Sequence, residues 1–270
     1  MDHHEHLGRT RAKILGEKLG IVRQDVPLVA NLGVKHLVER ARKRCEELSA
    51  PFHSVRDEVM IKGSSISQSS MSIDLRTPVR MYEGLKTRMI GLHQTGNVAT
   101  AVRTCELLAQ RWRNKGRHPF PIGAVRKGLS NALLPGRFQV LPGDPRIILD
   151  VSHNEESLLA SLRTLAAVSP RLNNVLLFAV QGHKELGMFP SRAVRSAREI
   201  ILAPLGTSRG AAAGDLESLF ENVSAPGGAG IRRAGSIRAA IGMARKSLQK
   251  GDSLLVFGSH FTVEEATRHL

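Results

Sequence analysis

Arg146-Ile147-Ile148-Leu149-Asp150-Val151-Ser152-His153-Asn154 is an apolar run that ends abruptly in an acid, a hydroxyl, an imidazole and an amide. Branched residues without polar alternation read as a strand buried on both faces, as in parallel sheets covered by helices. In such sheets ligands collect at the carboxyl ends of the strands. Asp150, His153 and Asn154 are therefore expected where chemistry takes place, with an N-cap for the following segment as the simpler role of Asp150.

Downstream, strand-like runs at 147–151, 175–180, 200–203 and 254–258 alternate with helical stretches at 155–167, 191–198 and 236–249. That alternation predicts a mostly parallel α/β sheet. Residues 206–214 read as a flexible loop. Upstream, Pro135-Gly136 is the best linker candidate and follows a helical piece at 122–134. A stronger helix is predicted over 98–113, with Asn97 as its N-cap and Val98, Val102, Leu108 and Trp112 on one face. Short alternations such as Val59-Met60-Ile61 predict a β-rich insert over 51–90. Residues 34–48 carry one apolar stripe of Val34, Leu37, Val38, Ala41 and Leu48, a surface helix. Residues 8–20 form another helix, followed by extended pieces at 21–23 and 27–29. Two domains are expected, 1–134 and 135–270.

The chain has 270 residues, 41% of them hydrophobic, enough for substantial cores. No apolar segment has the length of a membrane span and MDHHEHLGRTR lacks a signal-peptide core, so a cytoplasmic protein is expected, with no membrane partner. Cys45 and Cys105 have neither a disulfide framework nor zinc-ligand spacing. The net charge of +15 permits nucleic acid, anionic membranes or anionic small molecules as partners. Nucleic acid is disfavoured, because the basic residues are spread along the chain and 4% aromatic content leaves few stacking platforms.

Several local patterns fall in one order and together resemble the folylpolyglutamate synthase / dihydrofolate synthase family of the Mur ligase superfamily. Asp2-His3 with Leu7-Gly8, then Glu17-Lys18-Leu19-Gly20-Ile21-Val22-Arg23, is similar to the family's D-H-x-x-x-L-G and E-K-A-G-I-x-R. His93-Gln94 with Asn97 resembles H-Q-x-x-N. Pro135-Gly136-Arg137-Phe138-Gln139 and Leu149-Asp150-Val151-Ser152-His153-Asn154 resemble P-G-R-F-(E/Q) and D-x-A-H-N. Gly258-Ser259-His260-Phe261-Thr262-Val263 resembles the closing G-S-F-x-T-V. Three departures stand out: no G-x-x-G-K-(S/T) P-loop occurs in these residues, Gly182-His183-Lys184-Glu185 stands where relatives have x-D-K-D, and Leu19 and Ser152 replace alanines.

The resemblance implies a truncated Mur-ligase-type central ATPase domain followed by a Rossmann-like C-terminal domain. It also implies ATP-dependent addition of L-glutamate to a folate or dihydropteroate carboxylate through an acyl phosphate, with Mg2+, by a monomer. In that scheme His3 and a carbamylated Lys18 would hold metal. Asn97 would read adenine, with His93 and Gln94 in the same pocket. Arg137, after its hinge, would reach phosphate, Asp150 would grip ribose, and His153 and Asn154 would lie near the transferring phosphate. Ser259 and Lys184 would hold glutamate, Ser259 having a turn role as its alternative, with His260 on the following loop. By its own residues Lys18 is an ordinary surface cation of an amphipathic helix, and His3 part of a His-rich start.

Without the P-loop's phosphate cradle, the chain by itself is expected to have little ligase activity. The competing reading is a degenerate, non-catalytic relic that binds an anionic ligand or partner. The first domain is expected to expose an unpaired sheet edge and apolar surface, and the second to be the more stable.

Overall fold

The computed structural model describes residues 10–116, 121–169, 173–182, 186–206, 210–211, 213–221, 223 and 228–270. The chain divides into two units, one of Met1–Ser65, Ser72–Thr87 and His93–Ala132, the other of Ile66–Met71, Arg88–Leu92 and Leu133–Leu270.

In the first unit, α1 (Arg11–Lys18) starts at Thr10, whose hydroxyl accepts the Lys13 N–H. It continues into a 3-10 turn at Leu19–Ile21, so Ile21 prolongs the helical path instead of opening the extended piece expected there. β1 (Leu28–Ala30) and β2 (Phe52–Ser54) pair in parallel, with Leu28 opposite Phe52. Between them α2 (Lys35–Glu47) buries Leu37, Ala41 and Cys45, which join Leu15, Leu19 and Val22 in a single core. After the one-turn α3 (Val55–Glu58), three strands make the expected β-rich insert: β3 (Met60–Ile66), β4 (Met71–Arg76) and β5 (Met81–Thr87). Strict alternation along β4 buries Met71, Ile73 and Leu75.

The long helix α4 (Gln94–Asn114) begins earlier than expected, which puts Asn97 inside its first turn and not at its N-cap. Leu108 is 40% exposed, because it lies about 80° around the helix from the Val98–Val102 stripe at 100° per residue. α5 (Ile122–Asn131) closes the unit.

The second unit is built on a six-stranded sheet. Its strands are β6 (Gln139–Val140), β7 (Arg146–Asp150), β8 (Asn174–Phe178), β9 (Glu199–Leu202), β10 (Gly230–Arg233) and β11 (Ser253–Phe257), in the order β10-β9-β8-β11-β7-β6. Every pairing is parallel except that of β6 with β7. One face is covered by α6 (Glu155–Val168), α7 (Phe189–Ala193) and α8 (Ala213–Glu221), where Ile148, Phe178 and Phe257 meet Leu158, Phe189 and Phe220. The Phe178, Phe189 and Phe257 rings stand 4.9 to 5.6 Å apart, tilted or edge to face. The other face is covered by α9 (Ile237–Ser247) and α10 (His260–Thr267), where Leu149, Leu177 and Val256 meet Ile241, Val263 and Ala266.

The mostly parallel α/β architecture is thus the one expected. The differences are local. α7 precedes the helix expected at 191–198, α8 begins within the stretch read as a loop, and β6 and β10 are strands that the sequence did not announce. Among the described residues, no helix is long and apolar enough to cross a membrane.

Candidate functional site

β7 and β11 are parallel neighbours, yet α6 leaves β7 onto one face and α10 leaves β11 onto the other. Departure in opposite directions opens a crevice at the carboxyl ends of the two strands. Residues 150–154 reach it from one strand and 258–260 from the other. Gly258 stitches them together, its N–H donating to the Ser152 carbonyl at 3.0 Å. Only glycine fits there: φ is +120°, and a Cβ would stand 2.1 Å from the Ala179 carbonyl oxygen.

Asp150 is buried, with 6% of its surface exposed. Its Oδ1 accepts the Ser152 N–H at 3.1 Å and its Oδ2 accepts the Ser161 hydroxyl at 2.5 Å. The Phe138 N–H also donates to it, and the Arg137 guanidinium attracts it. Burial pushes its pKa up to about 6, outweighing the opposite pull of those donors and of Arg137. The N-cap of α6 is Asn154, not Asp150. Asn154 Oδ1 accepts the Ser157 N–H at 2.9 Å, while Ser157 Oγ accepts the Asn154 N–H at 3.2 Å, a reciprocal capping box.

His153 Nδ1 lies 2.9 Å from the Val151 carbonyl, which can only accept, so that nitrogen carries the proton. Its ring centroid is 6.4 Å from that of His260. Ser259 caps α10: its Oγ accepts the Thr262 N–H at 3.0 Å. His260 is accordingly the first residue of a helix and does not lie on the expected loop. Arg137 is exposed and follows a turn made by Gly136 at φ +68°, where a Cβ would stand 2.7 Å from Val151 Cγ1. Beside this turn is a cleft of about 560 Å3, lined in part by Gly136, Gln139, His260 and Val263.

In the first unit, His93, Gln94 and Asn97 share the start of α4. Gln94 is buried; its Nε2 lies 3.1 Å from His93 Nε2, and its Oε1 accepts Asn97 Nδ2 at 2.7 Å. Asn97 is exposed, and the second hydrogen of Nδ2 leaves it able to both donate and accept. Two neighbours went unnoticed in the sequence. Asn31, just past β1, accepts from Arg56 Nε at 3.2 Å, and its amide nitrogen lies 2.5 Å from where a Cβ on Gly96 would be. Ser161 was missed as well, for nothing in a mid-helix serine announces a contact with an acid eleven residues earlier.

Lys18 is the exposed last residue of α1. His3 and Lys184 lie outside the described residues. Among the described residues no group of three or more His, Cys, Asp or Glu side chains could hold a metal ion.

Residues 136–260, which hold most of this doubly covered parallel sheet, match the family described as Mur ligase, glutamate ligase domain. The relatives are folylpolyglutamate and dihydrofolate synthases, as the motif order implied. The dihydrofolate synthase/folylpolyglutamate synthase of Bacillus subtilis is 32% identical over 158 residues, 58% of this chain and 36% of that protein. The Escherichia coli protein of the same name is 26% identical over 97% of this chain and 56% of its own length. Among solved structures, Mycobacterium tuberculosis folylpolyglutamate synthase complexed with ADP superposes with a TM-score of 0.81 at 22% identity, over 99% of this chain and 61% of that one. E. coli FolC in complex with DHPP and ADP gives 0.77 at 24% identity, over 99% and 58%. The chain therefore spans less than two thirds of the length of these relatives.

Proposed function

We propose that this chain is part of an ATP-dependent ligase that joins L-glutamate to a reduced folate or to dihydropteroate. The observation that carries the reading is the match of residues 136–260 to the glutamate ligase domain, a stretch that contains Arg137, Asp150, His153 and the carboxyl ends of β7 and β11. In the reaction the γ-phosphate of ATP passes to the acceptor carboxylate. The amine of glutamate then attacks the acyl phosphate, an amide forms, and phosphate and a proton leave. Such chemistry is mostly positioning and charge stabilisation.

The residues divide that work. Arg137 supplies a planar fork for phosphate oxygens, and its place after the Gly136 turn lets it move with the hinge. Asp150 serves the ribose. His153, its ring oriented by Nδ1 on the Val151 carbonyl, and Asn154 are assigned to the neighbourhood of the transferring phosphate. Ser259, at the start of α10, is assigned to glutamate, and Lys184, outside the described residues, to the same substrate. His93, Gln94 and Asn97 receive the adenine edge. Lys18, carbamylated, and His3 are the residues assigned to Mg2+; the exposed ε-amine of Lys18 is open to carbamylation, and Mg2+ would neutralise the phosphate charge. The protein acts as a cytoplasmic monomer.

These 270 residues contain no P-loop motif, so by themselves they should turn over little or no substrate. Phosphate release from ATP tests both statements, measured with glutamate and a folate acceptor in this chain and in one extended by the P-loop-bearing segment of a relative. Acceptor-dependent release is expected only from the extended chain. Its absence there rejects the ligase reading, and full turnover by the 270 residues rejects their inactivity.

A further inference from the structure

Phe138 follows the hinge arginine with its backbone at φ +47°, a conformation that bulky residues seldom adopt, while its side chain is 1% exposed in the core beneath α6. Three hydrogen bonds hold the chain there. The Val151 N–H donates to the Gly136 carbonyl at 2.7 Å, the Gly136 N–H donates to Gln139 Oε1 at 3.0 Å, and the Phe138 N–H donates to the Asp150 carboxylate. Asp150 is in turn fixed by the Ser161 hydroxyl from the second turn of α6. Strand, helix and hinge therefore converge on one buried carboxylate.

We propose that Ser161 and Asp150 form a latch that holds the hinge at 136–139 in this conformation, positions Arg137, and opens when Asp150 takes up a proton. The chemistry of the cage explains why. Every neighbour that reaches the carboxylate is a donor or a cation: the Ser152 and Phe138 N–H groups, the Ser161 hydroxyl, and Arg137. A protonated carboxyl brings its own hydrogen into that ring of donors and loses the charge that attracts Arg137. Among the described residues, no acid is recorded acting on it. Glu155, at the start of α6, is engaged with the Met188 N–H at 2.8 Å, and β11 sets the apolar Phe257 opposite Asp150.

The pH at which the latch opens follows from burial. Asp150 sits above the ordinary value of 3.8, at about 6, so it is ionised and the latch closed at pH 7.5, and opening proceeds as the pH falls through 6. Ser161 is a positioning residue: it acts on Arg137 only through Asp150 and the Phe138 amide. The latch is a property of the chain itself and does not depend on the ligase reading.

Amide hydrogen exchange at Phe138, corrected for the intrinsic pH dependence and referenced to β8, tests it. Wild type should exchange faster at pH 5 than at pH 7.5 by about tenfold or more, the effect of losing a hydrogen bond to a charged acceptor. Ser161→Ala removes a donor that favours the carboxylate, so its midpoint should move to higher pH, and Ser161→Thr should restore it. Asp150→Asn should exchange fast at both pH values while β8 stays protected. A corrected Phe138 rate that does not change with pH in wild type, a wild-type midpoint in Ser161→Ala, or retained pH dependence in Asp150→Asn would overturn the proposal.

Discussion

Gly258 occupies a position that tolerates no side chain. Alanine there combines an unfavourable φ with a contact inside the Ala179 carbonyl, two effects that together cost about 2–5 kcal/mol. Gly258→Ala should therefore lower the urea midpoint of the second unit and speed amide exchange in 152–154, since Gly258 N–H bonds the Ser152 carbonyl; an unchanged midpoint would contradict this. At this scale, residues that end an apolar run were legible from sequence. Arg137, Asp150, His153 and Asn154 stand out because polar groups interrupt branched aliphatics. Asn31, Arg56 and Ser161 were not, because each reaches its partner only through tertiary packing. Asn97 was misplaced for a physical reason too. It precedes an apolar stripe as a cap would, but α4 starts earlier at His93, which makes no side-chain cap.

Among the elements, α4 is fastened to its own unit by a buried charge network. Arg103, 7% exposed, bonds Glu58 Oε2 at 2.6 Å from α3 and Glu106 Oε2 at 3.1 Å on its own helix. Glu106 Oε1 in turn accepts Thr77 Oγ1 at 2.6 Å and the Tyr82 hydroxyl at 3.0 Å, and burial, then Glu106, pushes the Tyr82 phenol up to about 12. Burial acts to raise the Glu58 pKa, but Arg103 and His53 outweigh it and hold that carboxyl below its usual value. Its stabilising contribution is therefore present at neutral pH and lost as the pH falls through the lowered pKa. Arg103→Met leaves two carboxylates without their cation, and a loss of about 3–5 kcal/mol is expected. Denaturant unfolding read at Tyr82 checks it. Replacement without loss would mean the cluster contributes only specificity. The helix could be read from its period; its anchoring could not, since the partners come from three separate stretches.

At the scale of the molecule, the two units differ in what they bury. The first holds one core around Leu15, Leu37 and Cys45, buries Ile73, Leu75, Leu85 and Val98 elsewhere, and has only two- and three-stranded sheets, while leaving Ile21 71%, Met60 56% and Val79 54% exposed. The second sandwiches six strands between two cores. Residues 146–270 should accordingly be better protected in hydrogen exchange than 10–132. The reverse order would show that the buried network outweighs core size. The alternation of strand and helix made the second unit's class readable, because each period reports one layer. Strand order was not readable. The crossover from β7 passes over a neighbouring place in the sheet and leaves it to be filled by β11, and nothing local encodes that skip.

That skipped place has a consequence in time. β11 pairs along its whole length with both β7 and β8, Ser253 standing opposite Arg146 and Asn174, which precede it by 107 and 79 residues. During synthesis the ribosome delivers β7, its helix, and β8 through β10 before the strand that joins them exists. Until residue 257 has cleared the exit tunnel, the nascent sheet is two separate pieces with facing unpaired edges, and it depends on speed or on a chaperone to stay apart from other chains. Closure then comes in one step after β10, which gives the short segment 253–257 an influence on the assembly of the sheet out of proportion to its length.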